Sequence, residues 1–216
     1  MARHPRSTAG DQSLARIETV DALRALYAAP QERALRKELG YLHAHHKAFV
    51  ALAPFLVIAT RGQDGLCDAS PRGDEPGFVA VLDDHGLAIP DWPGNNRLDT
   101  LTNILTAPEV GLIFLVPGVH EVLRVNGRAE LRDDEDLRAR FSRRGRLPKL
   151  VIRVTVAQAY LHCAKAIMRA GLWNDEAKVD RAVLPSMNEM MVVQTGIGAG
   201  GETQEQMMER FRGILY

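Results

Sequence analysis

The spacing of apolar residues divides the chain into a helical beginning, a middle of short strands and a helical end. Across residues 14–52 apolar side chains recur every three or four positions, which is typical of amphipathic helices. Pro30 separates two predicted helices, because proline lacks the N–H group that a helix interior requires. The residues predicted to share a face are Leu23, Leu26 and Tyr27 in the first helix, and Leu35, Leu39 and Leu42 in the second.

From residue 54 to about residue 156 the pattern changes to short apolar runs separated by turn residues. The run 123–131 alternates most clearly, since Leu123 and Val125 would face one side while Arg124 and Asn126 face the other. The predicted strands cover residues 54–60, 78–82, 86–89, 110–116, 123–131 and 149–156. Six or seven short strands with few intervening helices predict a closed or nearly closed antiparallel barrel rather than a parallel sheet.

The chain is predicted to end in an amphipathic helix within residues 203–216. Thr203 and Gln206 have the spacing of a capping box, in which each side chain bonds the other residue's backbone N–H. Met207, Phe211 and Leu215 would form its apolar face. The expected fold is therefore mainly β with flanking helices (α+β). We predict a disordered start at 1–13, a helical extension at 14–52, and a barrel domain with its C-terminal helix at 53–216.

Composition narrows the function classes. The chain of 216 residues is 46% hydrophobic and 25% charged, which is typical of a folded globular protein. Its 27 basic and 27 acidic residues cancel, whereas proteins that grip nucleic acid or anionic membranes usually carry a basic excess. The longest uncharged apolar stretch, Ala48–Thr60, has 13 residues and contains Pro54, so it is too short for a transmembrane helix. We therefore expect neither nucleic acid nor membrane as a partner.

The N-terminal residues and the cysteines indicate a cytoplasmic protein. Residues 1–13 are polar and lack the apolar core of a secretory signal. Cys67 and Cys163 lie far apart and form no metal-binding pattern, and a chain of this length needs no disulfide. We expect both cysteines to be small buried residues in a reducing compartment.

Three other polar or flexible segments favour structural interpretations. His43 and His46 have the spacing of zinc ligands on a helix, but no nearby carboxylate or cysteine completes a site, so His43, His45 and His46 predict a polar helix face. The glycine-rich segment 195–201 lacks the strand and acidic residue of a dinucleotide fold and predicts a connector. The run 133–146, acidic and then basic, predicts a capped helix closed by Gly145.

Two segments carry the strongest functional signal. Residues 68–74 and 89–97 both fall at the ends of predicted strands, and they offer Arg72 and Arg97 among glycine, proline and small polar residues. The second segment leads into a predicted helix, 98–105. Asn95 or Asn96 would cap this helix, and Leu98, Leu101 and Leu105 would face inwards.

Such an arrangement suits phosphate binding. Free N–H groups at a helix start supply oriented donors, and a guanidinium such as that of Arg97 adds a bidentate clamp. Arg72 would reach the same anion if its strand lies adjacent to the segment that carries Arg97. The structural alternative is an ordinary turn with exposed arginines.

The order of several motifs resembles a known family. These motifs are Ser70-Pro-Arg-Gly-Asp74, the stretch 87–97, the stretch 103–108 and Leu123-Arg-Val-Asn-Gly127. Across them the chain resembles the FMN-binding split-barrel superfamily, in particular the pyridoxamine 5'-phosphate oxidase-like flavoproteins. The stretches 160–166 and 172–174 resemble a subfamily described as FMN-dependent.

The resemblance implies a homodimer with FMN at the subunit interface. It implies that Arg72 and Arg97 hold the FMN phosphate, with help from Asn96 and Asn103. Trp173 would touch the flavin from the partner subunit, or else be an ordinary core aromatic. Lys165 is a candidate contact of substrate or a ring oxygen, or else a salt-bridged surface lysine. The ribityl chain and the ring would lie along Ser70, Pro71, Gly73, Asp74, Ile89 and Pro90.

The chain departs from pyridoxamine 5'-phosphate oxidases at 142–148 and 211–216, where those enzymes carry residues that grip the vitamin phosphate. We therefore expect an FMN-dependent oxidoreductase that does not oxidise vitamin B6. No side chain is assigned as catalytic acid or base, because the flavin itself performs the redox step. The alternatives are a flavin-binding stress or storage protein without turnover, and a deazaflavin- or haem-handling relative of the barrel.

Overall fold

The computed structural model describes residues 16–198 and 201–216, so the predicted disordered start at 1–13 lies outside it. Residues 16–36 belong to one compact unit, which contains helices α1 (Val20–Arg24) and α2 (Glu32–Arg36) on either side of Pro30. Both helices are short, and neither buries a residue. The predicted apolar helix faces are therefore wrong for this unit, because its leucines and Tyr27 are exposed.

The second unit begins at Lys37, and two leucines assigned to the second helix belong to it. Leu39 pairs with Ala159 as an isolated β-bridge, and Leu42 is 1% exposed in the core. Helix α3 (Ala44–Leu52) follows and buries Val50 in the same core. The domain boundary expected between residues 52 and 53 stays a prediction. Helix α3 lies before that boundary, and its Val50 belongs to the same core as the strands that follow.

The histidine cluster organises the start of α3. The backbone N–H of His43 donates to Nδ1 of His46 (3.3 Å), and the N–H of His45 donates to Nδ1 of His43 (3.4 Å). Burial lowers the pKa of His46, which favours the neutral ring that this acceptor role requires. Among the described residues, no group of three potential ligands could hold a metal ion. The cluster thus caps a helix.

Seven strands form one sheet in which every described pairing is antiparallel. The strands are β1 (Phe55–Arg61), β2 (Cys67–Gly73), β3 (Ala80–Val81), β4 (Gly86–Asp91), β5 (Glu109–Leu115), β6 (Val122–Arg132) and β7 (Leu150–His162). Their order across the sheet is β2-β1-β5-β6-β7-β4-β3. The predicted α+β split barrel with flanking helices is confirmed.

The barrel is open rather than closed. Strands β2 and β3 stand at the two ends of the sheet, and within the described residues no strand pairing joins them. β2 itself is a full strand where the sequence predicted only a segment at a strand end. Its polar residues and Pro71 do not fit the apolar pattern by which a strand is predicted. Proline is nevertheless tolerated here, because β2 is an edge strand whose outer N–H groups have no partner.

The core lies inside the curved sheet. Alternate residues of four neighbouring strands point inwards, as the alternation in β6 predicts, and they are at most 1% exposed. Helix α4 (Asp99–Thr106) packs against β1 and β6 and adds Leu101 and Ile104 to this core. The inward strand residues are Leu56 and Ile58, Leu112 and Phe114, Leu123 and Val125, and Ile152 and Val154.

The remaining helices follow β6 and β7. They are α5 (Glu135–Ala139), α6 (Lys165–Ala170), two 3-10 turns (Asp175–Ala177 and Arg181–Val183), α7 (Met187–Thr195) and α8 (Gln204–Arg212). None of the helices in the described part of the chain combines the length and the apolar character that crossing a membrane requires.

Several expectations for these segments need correction. The capping box of Thr203 and Gln206 is confirmed at the start of α8, but of the predicted apolar face only Met207 is buried. The run 133–146 contains only the five-residue α5, which ends well before Gly145. Two residues of the glycine-rich connector, 199 and 200, lie outside the described residues.

Both cysteines are exposed, so the expectation that they are buried is wrong. Cys67 begins the edge strand β2, and Cys163 directly follows the end of β7. Both positions lie at strand ends outside the core, so neither cysteine is buried.

Gly127 marks the point where β6 and β7 shift register, next to Asn126. A Cβ atom at Gly127 would lie under 3.0 Å from the backbone oxygen of Thr155, and backbone cannot move aside as a side chain can. We expect Gly127→Ala to lower the free energy of unfolding by about 1–3 kcal/mol or more, as overpacking does. Urea denaturation at constant m-value measures this loss.

The matched control is Gly40→Ala, whose Cβ would meet the oxygen of Ala157 at an ordinary 3.7 Å. This variant should change stability by no more than about 0.5 kcal/mol. Equal denaturation midpoints for the Gly127→Ala variant and the unmodified protein would contradict the close approach of β6 and β7.

Candidate functional site

A cleft of about 940 Å³ lies between the two ends of the open sheet, within the size range of small-molecule sites. Residues 70–75 line it from the end of β2, and residues 90–101 line it from the end of β4 to the first turn of α4. Lys149 and Leu150 complete the wall next to β4, and residues 215–216 lie against it. The two segments with the strongest sequence signal thus face the same cavity.

One ion pair bridges the gap between the sheet ends. Nη2 of Arg72, on β2, lies 3.7 Å from Oδ1 of Asp91, the last residue of β4, and the side chains are 23% and 18% exposed. Burial raises the pKa of Asp91, while the charges of Arg72 and Lys149 act against that rise. The pair therefore places a positive and a negative group in a partly desolvated cleft, where charge interactions are strong.

Two donors in this cleft have no acceptor. Nε of Arg72 and Nε1 of Trp92 are both buried, and neither finds a hydrogen-bond partner among the described residues. Leaving a buried donor unpaired costs roughly 1–3 kcal/mol, and more when the group is charged. A ligand that brings acceptor atoms into the cleft would recover this cost.

The turn before α4 is sharply bent. Asn96 and Leu98 have φ values of 60° and 61°, in the left-handed region that costs a bulky residue such as leucine energy. Leu98 is the residue before the helix and makes no side-chain cap, and Oδ1 of Asn95 accepts instead from the N–H of Arg97 (3.1 Å). The prediction that Asn95 or Asn96 caps this helix is therefore wrong.

Arg97 lies on this turn with its side chain 72% exposed. Its Nε donates to Oδ2 of Asp99 in the first turn of the helix, at 2.8 Å. The inward face of the helix also differs from the prediction, since Thr100, Leu101 and Ile104 are buried whereas Leu98 and Leu105 are exposed. The bend at Leu98 starts the helix one residue later and rotates its apolar face.

Polar contacts join α4 to β2 and β1. Oγ1 of the buried Thr100 donates to Oδ2 of Asp68 (2.9 Å), and Oγ of Ser70 donates to the same oxygen (3.0 Å). Nδ2 of Asn103 donates to Oγ1 of Thr60 on β1 (3.0 Å). The bonds of Thr100 and Asn103 fix α4, which directly follows the turn of Arg97, relative to the strand that carries Arg72 and to β1.

The structure gathers most of the predicted cofactor residues, although their contacts with FMN remain predictions. Ile89 is fully buried in the core beside Pro90, and Asn103 faces β1. Nε1 of Trp173 donates to the backbone oxygen of Val119 (2.8 Å), and Trp173 does not line the cleft of its own chain. Those that line the cleft are Ser70, Pro71, Arg72, Gly73, Asp74, Pro90, Asn96 and Arg97.

Sequence reasoning missed four residues that shape the cleft. Trp92 and Asp91 lie inside the stretch 89–97, where the sequence pattern pointed only to Ile89, Pro90, Asn96 and Arg97 as cofactor residues. Asp99 pairs with Arg97. An acidic residue two positions after an arginine at a helix start is a local pattern from which this ion pair could have been predicted. Tyr216 lies 142 positions from its partner Asp74, and no local pattern announces such a contact.

Comparison with models of protein families shows to which family the chain belongs. The model of the pyridoxamine 5'-phosphate oxidase family matches residues 42–163, which is more than half of the chain. The chain therefore belongs to the pyridoxamine 5'-phosphate oxidase family, as the resemblance implied. The matched range extends from just before α3 through all seven strands, and it contains every cleft residue except those at 215–216. No curated protein sequence matches the chain.

Solved structures provide more distant similarities. HupZ from Group A Streptococcus is 17% identical, with a TM-score of 0.47 over 55% of this chain and 92% of that protein. General stress protein 26 from Bacillus anthracis is 16% identical, with a TM-score of 0.41 over 54% and 93%. An F420 reductase is 16% identical, with a TM-score of 0.39 over 54% and 94%. Similarity at this level says nothing about function.

The contact between α4 and β2 is directly testable. Thr100→Val keeps the shape of the side chain but removes the hydroxyl that donates to Asp68, so it leaves that carboxylate short of a donor in a half-buried place. We expect the free energy of unfolding to fall by about 1–3 kcal/mol. Thr102→Val, the same change at an exposed position of the same helix, should have little effect. Equal losses for both variants would contradict the positioning role.

Proposed function

We propose that the cleft binds FMN and that the protein is an FMN-dependent oxidoreductase. The observation that carries this proposal is the pair of buried, unpartnered donors, Nε of Arg72 and Nε1 of Trp92, in a cleft of the family's barrel. FMN offers acceptors of two kinds, the phosphate oxygens and the polar edge of the ring. When bound, it supplies two-electron redox chemistry.

Arg72 is the better anchor for the phosphate. Its guanidinium is mostly buried, and the nearest Asp91 oxygen is 3.7 Å away, beyond the length of a good hydrogen bond. The charge is thus balanced while the Nε donor still lacks an acceptor. Because such a donor is already desolvated and oriented, a phosphate gains a charge-assisted bond at little further cost.

Arg97 supplies the second cation. Its hydrogen bond to Asp99 uses Nε, which leaves the two Nη groups as donors. The carboxylate of Asp99 opposes an incoming anion at the helix start, so the guanidinium rather than the helix end provides the attraction. This assignment replaces the capped helix N-terminus that the sequence suggested.

Small and flat residues suit the rest of the cofactor. Pro71 and Gly73 on β2 and Pro90 on β4 offer closely approachable walls for a planar ring, and Trp92 adds a donor for its polar rim. None of these side chains is assigned a proton-transfer role. Oxidation of vitamin B6 is not proposed, because residues 142–148 and 211–216 depart from the family's substrate-binding motifs.

The proposal includes a homodimer. Phe55 and Ile113 are 36% and 40% exposed on the outer face of the paired strands β1 and β5, where Val57 lies opposite Ile113. Large apolar side chains that lie together on an outer sheet face favour coverage by a second subunit. The family resemblance supports this part of the proposal, in which the flavin lies at the subunit interface and Trp173 is contributed by the partner.

Two ligands that differ by one phosphate test the site. Arg97→Ala, and separately Arg72→Lys, should weaken FMN binding by about ten-fold to a hundred-fold, because a hydrogen bond to a charged group contributes roughly 1.5–3 kcal/mol. Lysine at position 72 keeps a charge beside Asp91 but loses the planar guanidinium. Riboflavin, which lacks the phosphate, should bind both variants nearly as it binds the unmodified protein. Titration of apoprotein with each ligand gives the dissociation constants.

The control is Arg128→Ala, which removes another exposed arginine that pairs with a nearby carboxylate, that of Glu109. Arg128 does not line the cleft, and its loss should leave both affinities unchanged. Equal losses of FMN and riboflavin affinity in the Arg72 and Arg97 variants would show that these residues do not hold the phosphate.

A further inference from the structure

The last residue of the sequence is docked in the cleft. The hydroxyl of Tyr216 donates to Oδ1 of Asp74 at 2.5 Å, and the side chain of Asp74 is only 3% exposed. The same carboxylate accepts from the N–H of Glu75 and lies 3.9 Å from Nε of Arg143. The bond to Asp74 raises the pKa of the Tyr216 phenol, which therefore keeps the proton that it donates.

Other groups hold the same tyrosine. The ring of Trp92 meets the ring of Tyr216 edge-on, with centroids 5.1 Å apart and an interplanar angle of 80°. The guanidinium of Arg144 lies 5.7 Å from the centroid of that ring, and the guanidinium of Arg146 donates to the backbone oxygen of Tyr216. The tyrosine is thus gripped by residues of three separate segments.

The segment that leads to Tyr216 is loosely attached. Helix α8 ends at Arg212, and the side chains of Phe211, Ile214 and Leu215 are 40%, 56% and 58% exposed. Segments that bury few apolar contacts open at low free-energy cost. Because the residues around it bury little apolar surface, Tyr216 is held in place mainly by its own polar and aromatic contacts.

The tyrosine also competes for groups that a ligand would use. Asp74 and Trp92 both line the cleft, and Nε1 of Trp92 is one of its two unpartnered donors. While the phenol rests against the indole ring and on Asp74, a planar ligand cannot occupy the same space. The contacts of Tyr216 thus lie where the proposed flavin needs room.

We propose that Tyr216 is a latch, whose phenol closes the Asp74–Trp92 side of the cleft in the ligand-free protein and withdraws when flavin binds. This inference rests on the proposed function, since it names the regulation of the same site. Ligand then binds only the open fraction of molecules, and the apparent affinity is the intrinsic affinity reduced by that fraction. Weakening the latch should increase the open fraction.

The first experiment needs no ligand. Trp92 and Trp173 are the two tryptophans of the chain, so a Trp173→Phe background makes the fluorescence specific for Trp92. In that background Tyr216→Ala should make Trp92 clearly more accessible to quenching by acrylamide. Tyr216→Phe, which keeps the ring but loses the bond to Asp74, should have an intermediate effect. Phe211→Ala is the matched control, an aromatic residue of the same segment that does not line the cleft.

The second experiment follows FMN binding to the apoprotein by stopped-flow flavin fluorescence. Tyr216→Ala should bind FMN several-fold faster than the unmodified protein while the dissociation rate changes by less than about two-fold, because a larger open fraction acts on association. Phe211→Ala should behave as the unmodified protein does. Both rates are measured without catalytic turnover.

Two outcomes would overturn the latch. Unchanged quenching of Trp92 in the Tyr216→Ala variant would show that the phenol does not cover the indole. Faster dissociation with unchanged association would show that the phenol covers bound flavin instead of barring it. If no variant binds FMN at all, the flavin proposal fails, and the quenching result alone decides whether Tyr216 closes the cleft.

Discussion

The structure depends on an incomplete sheet whose two ends are joined by side chains instead of backbone hydrogen bonds. β2 and the β4–β3 pair stand apart, and the ion pair of Arg72 with Asp91 spans the space between them. The interior of the curved sheet is filled by the hydrophobic core, as in a closed barrel, but the two ends of the sheet do not meet. The opening creates a cleft whose walls are strand ends, and it forces charged groups into partly desolvated positions. The site is a direct result of this topology.

The charges in the cleft form a consistent pattern. A guanidinium that is balanced by Asp91 at 3.7 Å still keeps one buried donor without an acceptor, and Trp92 adds a second such donor. Proteins usually satisfy buried donors, so exceptions indicate strain, function or a missing ligand. The left-handed conformation of Leu98 on the adjoining turn is a further cost at the same place. Both features lie in the cleft for which a cofactor is proposed.

The fold was predictable because the strands that form its core carry recognisable local patterns of apolar residues. The alternation of β6 and the apolar run of β1 correctly indicated antiparallel strands, and the order of the motifs identified the family. β2 escaped the apolar pattern because an edge strand buries little and carries Pro71. The helix start was misjudged because the backbone conformation of Leu98, not an asparagine side chain, determines where α4 begins.

The candidate site was predictable only in part. Arg72 and Arg97 were found because arginines between glycine and proline residues at strand ends are a local signal. The ion pair with Asp91 and the hydrogen bond between Tyr216 and Asp74 depend on which strands and segments meet in space. No periodicity encodes such contacts. They are decided by the register of the sheet and by the path of the chain after β7.

Binding of FMN at the open edge of this barrel, as proposed above, is the step on which the proposed function depends. The most direct test is to purify the protein without added flavin, record its absorption spectrum, and identify the released cofactor by mass spectrometry. We expect a yellow protein that releases FMN, or an apoprotein that binds added FMN at about one equivalent per chain. Release of FAD, a deazaflavin or haem, or failure to bind added FMN, would contradict FMN binding at this site.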